Sequence, residues 1–235
     1  MTSTPFRHFH EQLTQLEQRL LTMAGRAQEL IELSVDALRA RDPRIAELVV
    51  ARDAEIDALE LEVEEQAIEL LALQQPMARD LRFIVAAIKI SSDLERVGDH
   101  AVNVAQAALR LKESGSTLVP GPELDDMARR ALSMLSDALD AFIRADGAAG
   151  RAVCQRDDEV DALMDTSFRV LLTRMMENPA TISPAIQLLL VARNLERVAD
   201  LATNIAEDAV YLAEGKTIKH HFEAHAPGGA PTRTP

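Results

Sequence analysis

One acidic signature is written twice in this chain. Leu94-Glu95-Arg96-Val97-Gly98-Asp99-His100-Ala101-Val102-Asn103 returns as Leu195-Glu196-Arg197-Val198-Ala199-Asp200-Leu201-Ala202-Thr203-Asn204, 101 residues later (196 minus 95). A duplicated pattern requires both halves to build the same supersecondary unit. Glu and Asp four residues apart project from one side of a helix, so the pattern predicts two helices that carry similar acidic sites.

The rest of the chain supports a helical repeat. Arg52 to Leu59 resembles Arg156 to Leu163, and Ser34 to Leu38 resembles Ala138 to Phe142, both offset by 104 (157 minus 53). Apolar periodicity and punctuation near Asp42-Pro43, Gln75-Pro76, Gly115 to Pro122, Asp146 to Gly150 and Asn178-Pro179 mark out six helical stretches, three per repeat. Ala, Leu, Glu, Arg and Val dominate, with 9 Gly, 1 Tyr and no Trp among 235 residues, which suits helices and argues against a sandwich or barrel. The expected fold is all-α, with two tandem three-helix bundles at 1–115 and 116–221 and a Pro/Gly-rich mobile tail at 222–235.

Charge and composition exclude several functions. A formal charge of −13 without a basic cluster repels a phosphate backbone, so no nucleic-acid partner is expected. The longest apolar runs, Ile84 to Ile88 and Leu188 to Ala192, are far shorter than the roughly 20 residues that span a bilayer. The first ten residues lack a continuous apolar segment of the secretory kind, and Cys154 stands alone, which fits a reducing compartment. A cytoplasmic location is therefore expected.

On a helical projection Leu81, Ile84, Val85, Ile88, Glu95, Asp99 and Asn103 fall within about 100° of one another, while Ile90, Leu94, Val97, Ala101, Ala105 and Ala108 fall opposite. The second copy aligns Ile182, Ala185, Ile186 and Leu189 with Glu196, Asp200 and Asn204. Each signature helix thus reads as wedged between two packing surfaces, with little solvent face. On the preceding helices Asp53 and Asp57 continue into Glu60 and Glu64, whereas Asp157 and Asp161 continue into Met164 and Phe168.

If the second and third helices of each repeat are antiparallel neighbours, Asp53 and Asp57 face Glu95 and Asp99, and Asp157 and Asp161 face Glu196 and Asp200. Desolvated carboxylates repel, so such clusters require protons, arginines or cations. Arg96 and Arg197 project about 100° from the stripes, which predicts pairing with other helices rather than with their own acids. Oxygen-only ligands would favour hard or borderline ions such as magnesium, manganese, calcium or iron. His100 projects to the stripe's edge as a further candidate ligand. The plainer alternative is a solvated acidic face paired with Arg and Lys.

These residues resemble the PhoU family of bacterial phosphate-transport regulators. The carboxylate-x-x-x-Asp pair with an intervening Arg and a downstream Asn is matched by Glu95, Arg96, Asp99 and Asn103, and by Glu196, Arg197, Asp200 and Asn204. The resemblance implies partner acids at Asp53, Asp57, Asp157 and Asp161, and iron or other metal ions (manganese, zinc or magnesium) in multinuclear clusters on these sites; Asn103, Asn204, Glu60, Glu64 and His100 are further candidate ligands beside them. It also implies a non-enzymatic regulator that restrains phosphate uptake and keeps the phosphate-starvation (Pho) response off. Its implied partners are the ATPase subunit of the phosphate ABC transporter and a sensor histidine kinase, with membrane contact through those partners only.

Two departures bear on the sites: Gly98 becomes Ala199, and Glu60 and Glu64 become Met164 and Phe168, so a difference in ion number or affinity between the two is expected. Apolar helix faces left over after bundle assembly make a homodimer the expected state. The competing reading is a carboxylate-bridged di-iron redox or metal-storage protein. Its Glu-x-x-His pairs are missing here, because Gly98 and Ala199 stand three residues after the two glutamates.

Overall fold

The fold follows from where the chain can begin and end helices. Pro43 opens a helix at its first position, and the Asp42 side chain caps it by accepting from the Arg44 N–H at 2.9 Å. Asp146 caps another through the Ala149 N–H at 3.0 Å. Gln75, Ala145 and Gly215 close helices in the left-handed conformation.

The computed structural model describes residues 5–218. It comprises α1 (Pro5–Ala40), α2 (Pro43–Gln74), α3 (Ala78–Glu113), α4 (Pro122–Arg144), α5 (Gly147–Cys154), α6 (Asp157–Glu177) and α7 (Ile182–Glu214), with one turn of 3-10 helix at Pro179–Thr181. The 222–235 tail lies outside the described residues. All five expected breaks are present. The fifth helical stretch, however, is divided into α5 and α6 at Gln155 and Arg156, a break absent from its counterpart α2.

In the first half α1, α2 and α3 pack on one another; in the second α4 and α7 pack on each other and both on α5 and α6. The halves join through α3 on α7 and α1 on α4, which places α2, α3, α7 and α6 side by side with α1 and α4 behind them. α3 and α7 run antiparallel: Lys89 lies 3.6 Å from Asp208, and His100 Nδ1 lies 2.9 Å from the Asn194 side-chain oxygen. Small residues allow these central helices to approach closely. Ala86, Ala87, Ala101, Ala105, Ala108, Ala192, Ala199, Ala202, Ala206 and Ala209 are all buried.

Behind the seam Phe83 stacks on Phe142 with ring centroids 5.3 Å apart, and Arg39 binds Asp125 at 2.7 Å between α1 and α4. The Arg41 guanidinium donates to the backbone carbonyls of Ser116 and Leu118, fastening the α1–α2 turn to the connection between the halves.

The packing corrects the expected wedge. Ile90, Leu94, Val97, Ala101, Ala105 and Ala108 are buried, and so are Ile84 and Ala185 on the acidic side, but Leu81 and Ile186 there are about two-fifths exposed (40% and 43%). Among the described residues no helix covers that side, because α1 and α4 both lie on the other. The carboxylates therefore line half-open grooves on the α2–α3–α7–α6 layer.

Candidate functional site

Each groove lies between a second and a third helix. In the first, α2 supplies Asp53, Asp57, Glu60 and Glu64, and α3 supplies Glu95 and Asp99; Asp53, Glu60, Glu64 and Glu95 are half-buried, while Asp57 and Asp99 are exposed. Gly98 sets the spacing. A Cβ on it would meet Asp53 Oδ1 and Ile56 Cδ1, each at 3.0 Å, so the missing side chain is the room that Asp53 occupies.

The electrostatics of this groove are those of like charges crowded together. Burial, reinforced by Asp99, Glu60, Asp57 and Asp53, pushes the Glu95 carboxyl up to about 6. Burial and then Asp57 and Asp99 raise Asp53; burial and then Glu64 raise Glu60, against a hydrogen bond from Ser92 that favours its ionised form. The charges acting most strongly on Glu95 are all other carboxylates.

The second groove is built alike but compensated. Burial, Asp200 and Asp161 raise Asp157 to about 6, and Asp161 and Glu196 also move up, first through burial and then through Asp200. Arg197 opposes the shift of Asp161 and, together with Arg193, that of Glu196. The Arg197 guanidinium donates to Asp200 at 2.7 Å, and the Thr203 hydroxyl donates to Asp157 at 3.4 Å.

The two arginines depart from expectation. Arg96 and Arg197 pair along their own helices, Arg96 with Asp93 at 3.7 Å and Arg197 with Asp200 at 2.7 Å. A guanidinium on a long side chain readily spans the one-turn distance to an acid three residues away, whatever the projection of its Cβ. His100 is engaged with Asn194 across the α3–α7 seam, and burial holds its imidazole below the usual range, which favours the neutral form. Asn103 is exposed; Asn204 is half-buried beside the second groove.

The eight principal acids thus fall into two groups, as the spacing predicts, and each group couples across its pair of helices. Among the described residues, no three His, Cys, Asp or Glu side chains stand together as a ready coordination set. The donors are all oxygen, and the crowding of negative charge is what a hard cation would relieve. Asp53, Asp57, Glu95 and Asp99, with Glu60 and Glu64 beyond, would hold such an ion in the first groove; Asp157, Asp161, Glu196 and Asp200 would do so in the second. Thr203 was not legible from the repeat, since its counterpart is Val102 (203 minus 101).

An all-helical duplicated bundle with an acidic groove in each half defines a class that comparison with known proteins then makes specific. The PhoU domain model matches twice, at residues 20–108 and 124–209, and the chain belongs to the PhoU family. A phosphate-specific transport system accessory protein PhoU homolog of Caulobacter vibrioides is 42% identical over 218 residues, 93% of this chain and 95% of that protein. A homolog of the same description from Rhizobium meliloti is 40% identical over 88% of this chain and 87% of its own length. The crystal structure of PhoU from Pseudomonas aeruginosa superposes with a TM-score of 0.85 at 36% identity, covering 88% of this chain and all of that one (100%). The phosphate transport system regulatory protein PhoU from Streptococcus pneumoniae gives 0.83 at 32% identity, covering 90% and 99%. Among the described residues no helix is long and apolar enough to cross a membrane.

Proposed function

We propose that this protein regulates phosphate transport as a non-catalytic accessory protein, restraining uptake and holding the phosphate-starvation response off when phosphate is plentiful. Support comes from its relatives, which are described as accessory or regulatory proteins of phosphate transport and match it over most of both chains. Its mode of action would be docking: an adaptor between the ATPase subunit of the phosphate transporter and a sensor histidine kinase, reaching the membrane only through those partners.

The observation that carries the metal part of this reading is the crowding of carboxylates across α2 and α3, where other acids dominate the charge acting on Glu95. A bound divalent or transition cation would neutralise that groove and tie the two helices together, making the presented surface dependent on occupancy. The relevant experiment compares protein purified without chelator with a variant carrying Ala at Glu95, Asp99, Glu196 and Asp200. Elemental analysis of both and phosphate-dependent repression in cells are read side by side. Metal in the parent and none in the variant, with repression lost, is the expected result. Intact repression in the variant would remove the metal from the mechanism and leave only the adaptor.

A further inference from the structure

Arg96 and Arg197 hold equivalent positions in the two repeats (197 minus 101 is 96). Because α3 and α7 are antiparallel and cross near these residues, both guanidiniums reach one cavity at the seam. It has a volume of about 300 Å³ and is lined by Arg96, Arg197, Asp157, Asp200, Thr203 and Asn204, with Leu201 as its one apolar wall. Both arginines also act on His100, which marks the same point on the seam from within.

The donors here exceed what the protein uses. Each guanidinium offers about five N–H groups in a planar fork. Arg197 directs one guanidinium nitrogen to Asp200, and Arg96 stands 3.7 Å from Asp93. Remaining N–H groups are available to the cavity, and the Asn204 amide adds more. Forked guanidiniums match tetrahedral oxyanions in geometry and charge. The lining is too polar and too small for an extended apolar ligand.

The carboxylates decide which oxyanion fits. Asp157 and Asp200 repel an anion that has no proton to offer, because a carboxylate can only accept. Toward an anion that keeps a proton they become hydrogen-bond acceptors. Near neutral pH phosphate retains at least one proton and sulfate retains none, so the same two acids favour one and reject the other.

We propose that this cavity binds inorganic phosphate as its protonated oxyanion, held by Arg96 and Arg197 and selected over sulfate by Asp157 and Asp200. The proposal deepens the regulatory reading above, on which its physiological meaning rests, by giving the protein direct contact with the molecule whose supply it reports. Sharing of the guanidiniums with carboxylates makes the site weak, with Kd on the order of 1 mM, a range suited to an abundant ion.

The test is calorimetric titration of full-length, chelator-washed protein with inorganic phosphate and with sulfate at equal ionic strength and pH 7.5. Phosphate is expected to bind at least about tenfold more tightly than sulfate. Arg96→Ala and Arg197→Ala should each weaken phosphate about fivefold or more, and the double variant should abolish binding while its helical circular dichroism is unchanged. Arg129→Ala, which removes an exposed positive charge on α4, should leave it unaffected. Asp200→Asn should narrow or reverse the preference over sulfate, an effect that misfolding would not produce. Equal binding of both anions, binding that survives the double Arg variant, or phosphate binding that needs added Mn²⁺ would each overturn the proposal. If phosphate binds as described yet the double Arg variant represses normally in cells, the site stands and its regulatory meaning falls.

Discussion

Asp53 Oδ1 lies 3.0 Å from the point where a Cβ on Gly98 would stand. The α2–α3 groove therefore depends on a missing methyl group. Adding one in Gly98→Ala would raise helix propensity by about 1 kcal/mol, offset by the contact with Asp53 and Ile56. Net stability should change by less than about 1 kcal/mol, because the obstructing atoms are ends of side chains. The Asp53 carboxylate must move, however, so Mn²⁺ affinity of the first groove should fall while the thermal midpoint barely shifts. An unaltered titration would show that Asp53 is not a ligand.

Crowded carboxylates make the metal-free protein acid-favoured over part of the pH range. Glu95 and Asp157 rise from ordinary values near 4.5 and 3.8 to about 6 in the folded chain. Between about pH 4 and 6 the folded state therefore holds more protons than the unfolded one, and stability falls as pH rises through that window. Screened by solvent, since both groups are partly exposed, each should cost on the order of 1 kcal/mol above pH 6, relative to a carboxylate with no shift. Chelator-treated protein should melt higher at pH 5.5 than at 7.5 as far as these groups are concerned. Glu95→Gln should flatten the difference and raise the midpoint at pH 7.5. A variant that melts lower at pH 7.5 than the parent would contradict this account of Glu95.

Arg41 fastens the connection between the halves while sitting at a φ of +51°, a conformation that costs an L-residue roughly 1–2 kcal/mol. Two substitutions separate its roles. Arg41→Ala keeps the strain and loses both bonds to the Ser116 and Leu118 carbonyls; Arg41→Gly loses the bonds but relieves the strain. We expect Arg41→Ala to cost about 1–3 kcal/mol and Arg41→Gly about 1 kcal/mol less. Both should speed limited proteolysis within residues 114–121. Cleavage at the parental rate would show that the clamp does not govern the linker.

Close to the second groove, α5 packs tightly against α7 at Gly150. A Cβ on Gly150 would lie 2.7 Å from the Ala206 carbonyl oxygen, which is backbone and has little freedom to yield. Gly150→Ala should destabilise by about 1–3 kcal/mol despite its better helix propensity, lowering the midpoint by several degrees. A neutral or stabilising outcome in a thermal melt would mean that α5 can slide along α7.

What the sequence conveyed well was whatever repeats or punctuates. Asp42-Pro43 and Asn178-Pro179 located helix starts because capping chemistry is local, and the 101-residue offset placed Glu95 with Asp99 and Glu196 with Asp200 on equivalent helices. Features that depend on three-dimensional placement were less legible. The Gln155–Arg156 break has no proline or glycine to announce it. The open side of the acidic stripe follows from both α1 and α4 packing behind the layer, which periodicity along one helix does not encode. Arg197 turned to Asp200 because side-chain reach, rather than Cβ direction, decides a pair three residues apart. Their shared cavity requires the antiparallel seam, which no local pattern specifies.

We expect Arg197 to give the two grooves different cation affinities. It neutralises Asp200 in the second groove, whereas acids dominate the charge acting on Glu95 in the first, so the first should bind a hard cation more tightly. Removing the guanidinium in Arg197→Ala should bring the second groove toward the first, with a gain in Mn²⁺ affinity of about threefold to tenfold. The same substitution should weaken phosphate at the seam, since the guanidinium serves both sites with opposite sign. Titration of one protein sample with Mn²⁺ and another with phosphate reads both effects. A loss of both affinities would indicate that Arg197 supports the local fold rather than its charge balance, and a gain in cation affinity alone would separate the acidic groove from the anion cavity.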